Sequence, residues 1–350
     1  MTGMPPTVSL TRRTPGRTRW FPFSALAVDA VGILLTACTT TPPPDPPEEE
    51  EPSPAPALPE VAAYEVAEDE PAVGVKRAAV DFLEATFNYE ADQGTAEAAR
   101  DRLQQADMGT EAVTDDLFPE VDDSAGAAEV VYPQLGGLTE DQASIMAITR
   151  LSLLSGESVG AMTRVVDLRL TRDEQNWEVT EIASMGGSQP AVPTQPPWSS
   201  PEAGPPEEPE SDDPATEVLQ SEDIELPDSS EQDIEEDRID ERLLTMLLEL
   251  SADHTLSVAA LATGHPVNVF DSSSVSNHTH GRAVDIWAID GVTVSDHRQA
   301  GRDGPAGNLM KSALSLGATE VGGPWVLSNG HGTTFTDTVH EDHLHIGFKQ

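Results

Sequence analysis

Two stretches of this chain cannot bury enough apolar surface to fold, and they partition everything else. Residues 41–60 read TPPPDPPEEEEPSPAPALPE. Proline removes backbone donors and neighbouring glutamates repel, so the segment is expected to stay extended. Residues 188–235 form a second run rich in Pro, Ser, Glu and Asp. It is expected to be a disordered acidic linker that lets its two neighbours move independently. The chain carries 62 acidic and 19 basic residues, a formal net charge of -43. That balance excludes a nucleic-acid partner, which would need a basic footprint. Most of the carboxylates sit in these runs, and solvation accounts for them.

The N-terminus has the layout of a secretory signal peptide. Arg12, Arg13, Arg17 and Arg19 precede an apolar stretch from Trp20 to Ala37, and Cys38 follows. With one cysteine, no intrachain disulfide can form. Leu35-Thr36-Ala37-Cys38 resembles a bacterial lipobox. The resemblance implies that residues 1–37 are removed and that Cys38 is lipidated. It places the protein in the cell envelope, lipid-anchored to the outer side of the cytoplasmic membrane, with residues 38–60 as a tether.

The expected fold class is α+β, in two small domains. In residues 61–187, Val75, Ala79, Phe82 and Leu83 recur at a helical period. Ala143 to Leu154 is a second apolar run. Val166, Leu168 and Leu170 alternate as in a half-buried strand, and a polar turn leads to a second alternating run from Trp177 to Ile182. Helices followed by a hairpin resemble the nuclear-transport-factor-two-like α+β cone, which implies a spacer or binding module. The segment has no histidine and no cysteine, and no chemistry is assigned to it.

Residues 236–350 open with a helix, since Ile239, Leu243, Leu247 and Leu250 share a face. A second helix is expected over Ala306 to Leu316, with Gly317 at its C-terminal cap. All nine histidines of the chain lie after residue 250. Histidine is the commonest metal ligand and a frequent acid–base group, so the chemistry belongs here.

Two histidine groups stand out: SNHTHGRAVDI, residues 276–286, and HEDHLHIGF, residues 340–348. In the second, Leu344, Ile346 and Phe348 alternate with His343 and His345. On a strand both imidazoles would share one face and the apolar side chains the other. Asp285 lies within an apolar strand, where a carboxylate is costly unless paired or coordinated. Two histidines and a carboxylate, with a fourth position for water, is the ligand count of a catalytic zinc site.

The first group matches S-x-H-x-x-G-x-A-x-D at Ser276, His278, Gly281, Ala283 and Asp285, and the second supplies H-x-H at His343 and His345. Together they resemble the D-alanyl-D-alanine carboxypeptidase and endopeptidase family of zinc enzymes, whose fold is shared with hedgehog signalling domains and lysostaphin-type peptidases. The resemblance covers roughly the last 110 residues. It implies a central antiparallel sheet with flanking helices, with Zn2+ held by His278, Asp285 and His345. It also implies that His343 sits beside the metal, polarising the scissile carbonyl, and that the substrate is a peptidoglycan peptide. The family's commonest pattern, E-x-x-H, has its proton-accepting glutamate three before the ligand. Asp342 holds that spacing here, whereas Glu341 shares the strand face of the histidines, so both are candidates for the base. Thr263-Gly264-His265-Pro266 lacks the arginine with which many of the carboxypeptidases grip substrate. His265 and Ser276 are the candidate substrate contacts, unless they serve only a turn. The competing reading is a non-catalytic zinc domain that binds cell-wall peptide or a protein partner.

Overall fold

The computed structural model describes residues 56–118, 123–174, 176–187, 213–327 and 333–349. The signal segment, Cys38 and His331 lie outside them. No helix of the described residues is long and apolar enough to cross a membrane.

Helices α1 (Val73–Phe87) and α2 (Ala96–Gln105) precede an antiparallel meander of β1 (Ser124–Leu138), β2 (Gln142–Ser155), β3 (Ser158–Asp173) and β4 (Asn176–Ser184). Thr95 caps α2, its side chain accepting from Ala98 N. The apolar run expected at 143–154 is β2, and it is buried on both faces. Ile145 and Ala147 pack under the helices, whereas Met146 and Ile148 point the other way. A strand with two buried faces must be covered twice.

The second cover comes from the rest of the chain. Helices α3 (Pro214–Gln220), α4 (Asp228–Glu235), α5 (Glu241–Ser251), α6 (Val294–His297) and α7 (Pro305–Ser315) surround a second sheet. Its strands are β5 (Ile224–Glu225), β6 (Leu256–Ala260), β7 (Ala283–Ile289), β8 (Val292–Thr293), β9 (Glu320–Gly322), β10 (Thr333–Phe335) and β11 (Leu344–Gly347). Among the described residues the order is β10-β9-β11-β7-β6-β5, with β8 pairing β7. The centre is antiparallel, as expected, while the outer pairs β5–β6 and β9–β10 are parallel. Leu243, Leu247 and Leu250 of α5 and Leu309, Met310 and Ala313 of α7 pack on Val284, Ile286, Leu344 and Ile346. Gly317 adopts φ 100° after α7, where the glycine cap was placed.

Two expectations need correction. The acidic linker does not extend to 235. Residues 213–235 contain α3, β5 and α4, and Val218, Ile224 and Ile234 belong to the second core. The short apolar residues that anchor these elements are spaced among charges, which hid them in composition. Nor do the two halves move independently. The described residues form one compact unit, with a shared cluster of Tyr132, Met146, Ile148 and Val165 against Ala259 and Ala260. Tyr132 stacks on Trp287 at 4.9 Å between ring centroids.

A shared core predicts one cooperative unfolding transition, with coincident far-ultraviolet circular dichroism and tryptophan fluorescence curves. Met146→Ala should shift that single transition by about 2–5 kcal/mol. Two separated transitions would refute the shared core.

Candidate metal centre

The two histidine groups meet where β7 and β11 pair. Asp285 and His345 are direct cross-strand partners, so both side chains leave the same face. His278 arrives from a 3-10 turn (His278–His280) ended by Gly281 at φ 63°. A side chain there would be strained, and its Cβ would lie 1.8 Å from the Arg238 carbonyl oxygen. The glycine of the motif is thus a steric requirement of the turn that delivers His278.

Three donor atoms converge. His278 Nε2 lies 3.2 Å from Asp285 Oδ1 and 3.2 Å from His345 Nδ1, and the last two are 3.1 Å apart. Ligands at zinc distances on a tetrahedron stand about 3.3 Å apart. His278 Nδ1 donates to the Leu261 carbonyl at 2.6 Å, which leaves Nε2 with its lone pair toward the other two atoms. Three lone-pair atoms this close need a cation or a proton between them. Burial pushes His345 down, but its bonds to Asp285 and Glu320 outweigh this and raise it to about 9. Burial likewise raises Asp285, yet the surrounding imidazoles hold it well below the usual carboxylate range. Glu320, beside His345, is held at about 2.

His265 offers a further nitrogen beside these three atoms. Its ring stacks on His278 at 3.9 Å and 10°, and its Nδ1 donates to the Pro266 carbonyl at 2.8 Å. Burial and the neighbouring His278 push its pKa well below the ordinary value, so it stays neutral. His265, His278 and Asp285 each offer a ligand atom within 4.8 Å of the others, and this group can hold a metal ion. The helix α4 supports it from behind. Asp233 accepts from Ala262 N, Thr263 N and Thr263 Oγ1, pinning the turn whose Leu261 carbonyl orients His278.

No protein-family model, curated protein or solved structure matches this chain.

The other sequence candidates are placed as follows. Ser276 is buried, its Oγ accepts from His278 N at 3.3 Å, and it lines the cleft. Glu341 pairs with Arg298 and does not line the cleft. The Glu341–Asp342–His343 segment is a 3-10 turn and a bend, so strand alternation does not govern it. Asp342 turns inward and is fully buried. Its Oδ1 accepts from His343 Nδ1 at 2.7 Å, and Oδ2 from Leu135 N at 2.9 Å and Lys76 Nζ at 2.6 Å. Burial raises its pKa, but Lys76 and His343 outweigh that and keep it ionised. His343 Nε2 then faces the metal group, 3.9 Å from Asp285 Oδ1.

The residues missed from sequence come from the first half. Gln134 Nε2 donates to Asp285 Oδ2 at 2.8 Å, and Lys76 holds Asp342. A signal existed. Lys76 falls on the apolar stripe of α1 with Ala79, Val80 and Leu83, and Gln134 is a lone amide between Tyr132 and Leu135. The cleft above the metal group has a volume of about 670 Å³. Leu135–Leu138, Met146, Phe270 and Phe335 line it together with His265, His340, His343 and His345.

Divalent metal titrated into the protein should bind at one equivalent. His278→Ala and Asp285→Asn should each abolish that stoichiometric binding, read by metal analysis after gel filtration. Retention of a full equivalent by His278→Ala would place the metal elsewhere.

Proposed function

We propose that the C-terminal half is a zinc-dependent peptide hydrolase of the hedgehog and D-alanyl-D-alanine peptidase fold type, acting on cell-wall peptides from a lipid-anchored envelope protein. The observation that carries the reading is the triangle of His278, Asp285 and His345, 3.1–3.2 Å on each edge, with His343 Nε2 beside it. Two imidazoles and one carboxylate match zinc in donor type and leave a position open. We assign the third ligand to His345 and read His265 as a neutral wall stacked on His278.

When bound, zinc supplies a water acidified toward ~7 and a Lewis acid for the scissile carbonyl. His343 supplies the proton path. Its Nδ1–H is held by Asp342, so Nε2 carries the lone pair and accepts a proton from the attacking water. The same nitrogen then returns that proton to the leaving amine. Asp342 has both oxygens engaged within the protein and acts behind His343, and Glu341 is held by Arg298. The base is therefore assigned to His343 rather than to either carboxylate. Phe270, Phe335 and Leu138 give the cleft an apolar part of its lining.

The cleft also bears on the bond cut. Lys349 is the sole lysine or arginine among the described residues that line it, and its Nζ already lies 3.9 Å from Glu320 Oε1. A free terminal carboxylate finds no unpaired cation there, which favours an internal peptide bond. The engagement of Asp342 by Lys76 and of Glu341 by Arg298 favours a second reading, a zinc domain that binds cell-wall peptide without cutting it.

Zinc-loaded full-length protein incubated with purified muropeptides should release a new amine, detected by mass spectrometry. Tight binding with no new amine would give the second reading. His343→Ala should retain zinc and lower kcat by ~100-fold or more, within the range typical of a lost general acid–base. His345→Ala should cost more zinc affinity than the ~10–100-fold of losing a supporting group, whereas His265→Ala should stay below it. The reverse order would make His265 the third ligand.

A further inference from the structure

The first half of the chain reaches the metal group with two buried polar side chains, Lys76 and Gln134, and each aims its donor group at a carboxylate of the site. Lys76 and Asp342 are each 0 % exposed. The ammonium of Lys76 spends its three donors on Asp342 Oδ2 at 2.6 Å, Glu70 Oε2 at 2.7 Å and Tyr132 OH at 3.3 Å. Such a buried pair is no better for stability than two apolar residues of the same size. What it does achieve is directional. With Oδ2 taken by Lys76 and Leu135 N, Asp342 offers Oδ1 to His343 Nδ1, which fixes the ring with Nε2 toward the cleft.

Gln134 does the same for Asp285. It ties down Oδ2 at 2.8 Å, so Oδ1 alone faces His278 and His345. The backbone is shaped for this. Val130 pairs with Thr149 and Tyr132 with Ile148, so Val131 is an extra residue. The bulge flips the alternation, sending Tyr132 and Gln134 to the face that meets the second half while Val130 stays under the helices.

We propose that the N-terminal α+β half is a built-in part of the metal centre, with Gln134 and Lys76 as positioning residues that orient Asp285 and, through Asp342, His343. The proposal rests on the zinc hydrolase reading for its catalytic consequence but not for its effect on the metal.

The test uses the full chain with zinc as the probe. Gln134→Met keeps the volume and removes the donor. Zinc affinity, read by chelator competition, should weaken by ~10–100-fold, as for loss of other groups that orient a ligand. Lys76→Met/Asp342→Asn removes this pair together but leaves Glu70, 7 % exposed, without its ammonium, so the melting temperature is expected to fall while the fold is kept. In that double variant, 15N-edited spectra of the imidazoles should show His343 losing its Nδ1–H tautomer, with zinc still bound. On muropeptide, kcat should fall ~100-fold or more with KM changed less than about threefold. Wild-type zinc affinity in folded Gln134→Met, together with an unchanged His343 tautomer in the double variant, overturns the proposal. If the wild type cuts no muropeptide but both physical signatures move as stated, the hydrolase reading fails and the positioning role stands. Should Gln134→Met fail to fold, the tautomer in the double variant decides alone; should the double variant fail, the zinc affinity of Gln134→Met decides.

Discussion

A carboxylate with almost no access to water lies where the two sheets meet, and its two oxygens are claimed from opposite sides. Asp285 Oδ1 faces the imidazoles of the C-terminal half, and Oδ2 accepts from Gln134 of the N-terminal half. A buried charge is tolerable only when every lone pair has a partner. The halves must therefore dock for the site to exist. The apolar cluster of Tyr132, Met146, Ile148 and Val165 on Ala259 and Ala260 supplies the burial that brings them together, and the polar contacts decide their register.

Asp342 repeats the pattern one residue from the metal group's histidine pair. Lys76, Leu135 N and His343 saturate it. A carboxylate at that spacing in the resembling peptidases serves as base. Here the environment converts the position into one that holds His343, because an oxygen already bound by an ammonium and a backbone amide has no lone pair to present to water. The proposed zinc chemistry runs through an imidazole backed by a carboxylate.

Much of the site was legible in the chain itself. The family resemblance alone chose His345 over His343, and the structure brings donor atoms of His278, Asp285 and His345 within 3.2 Å of one another. Clustering of all nine histidines and the apolar alternation around Asp285 and His345 marked the segments that carry them. Local periodicity carried those signals, since a strand places i and i+2 on one face whatever lies elsewhere. The role of residues 213–235 was not legible, because Val218, Ile224 and Ile234 are sparse among charges and become core only when α5 and β6 lie beside them.

What sequence alone determined is the chemistry available: which side chains can ligate, and that Asp285 and His345 lie on strands. Only the tertiary structure decided which carboxylate does what. Glu341 and Asp342 are neighbours of similar charge, and strand alternation was the wrong rule for a 3-10 turn and bend. Their fates were settled by partners far away in the chain, Arg298 for one and Lys76 for the other. The place of Lys76 on an apolar helix face could mark it as unusual but not name its partner, because the buried carboxylate arrives from elsewhere in the fold to meet it.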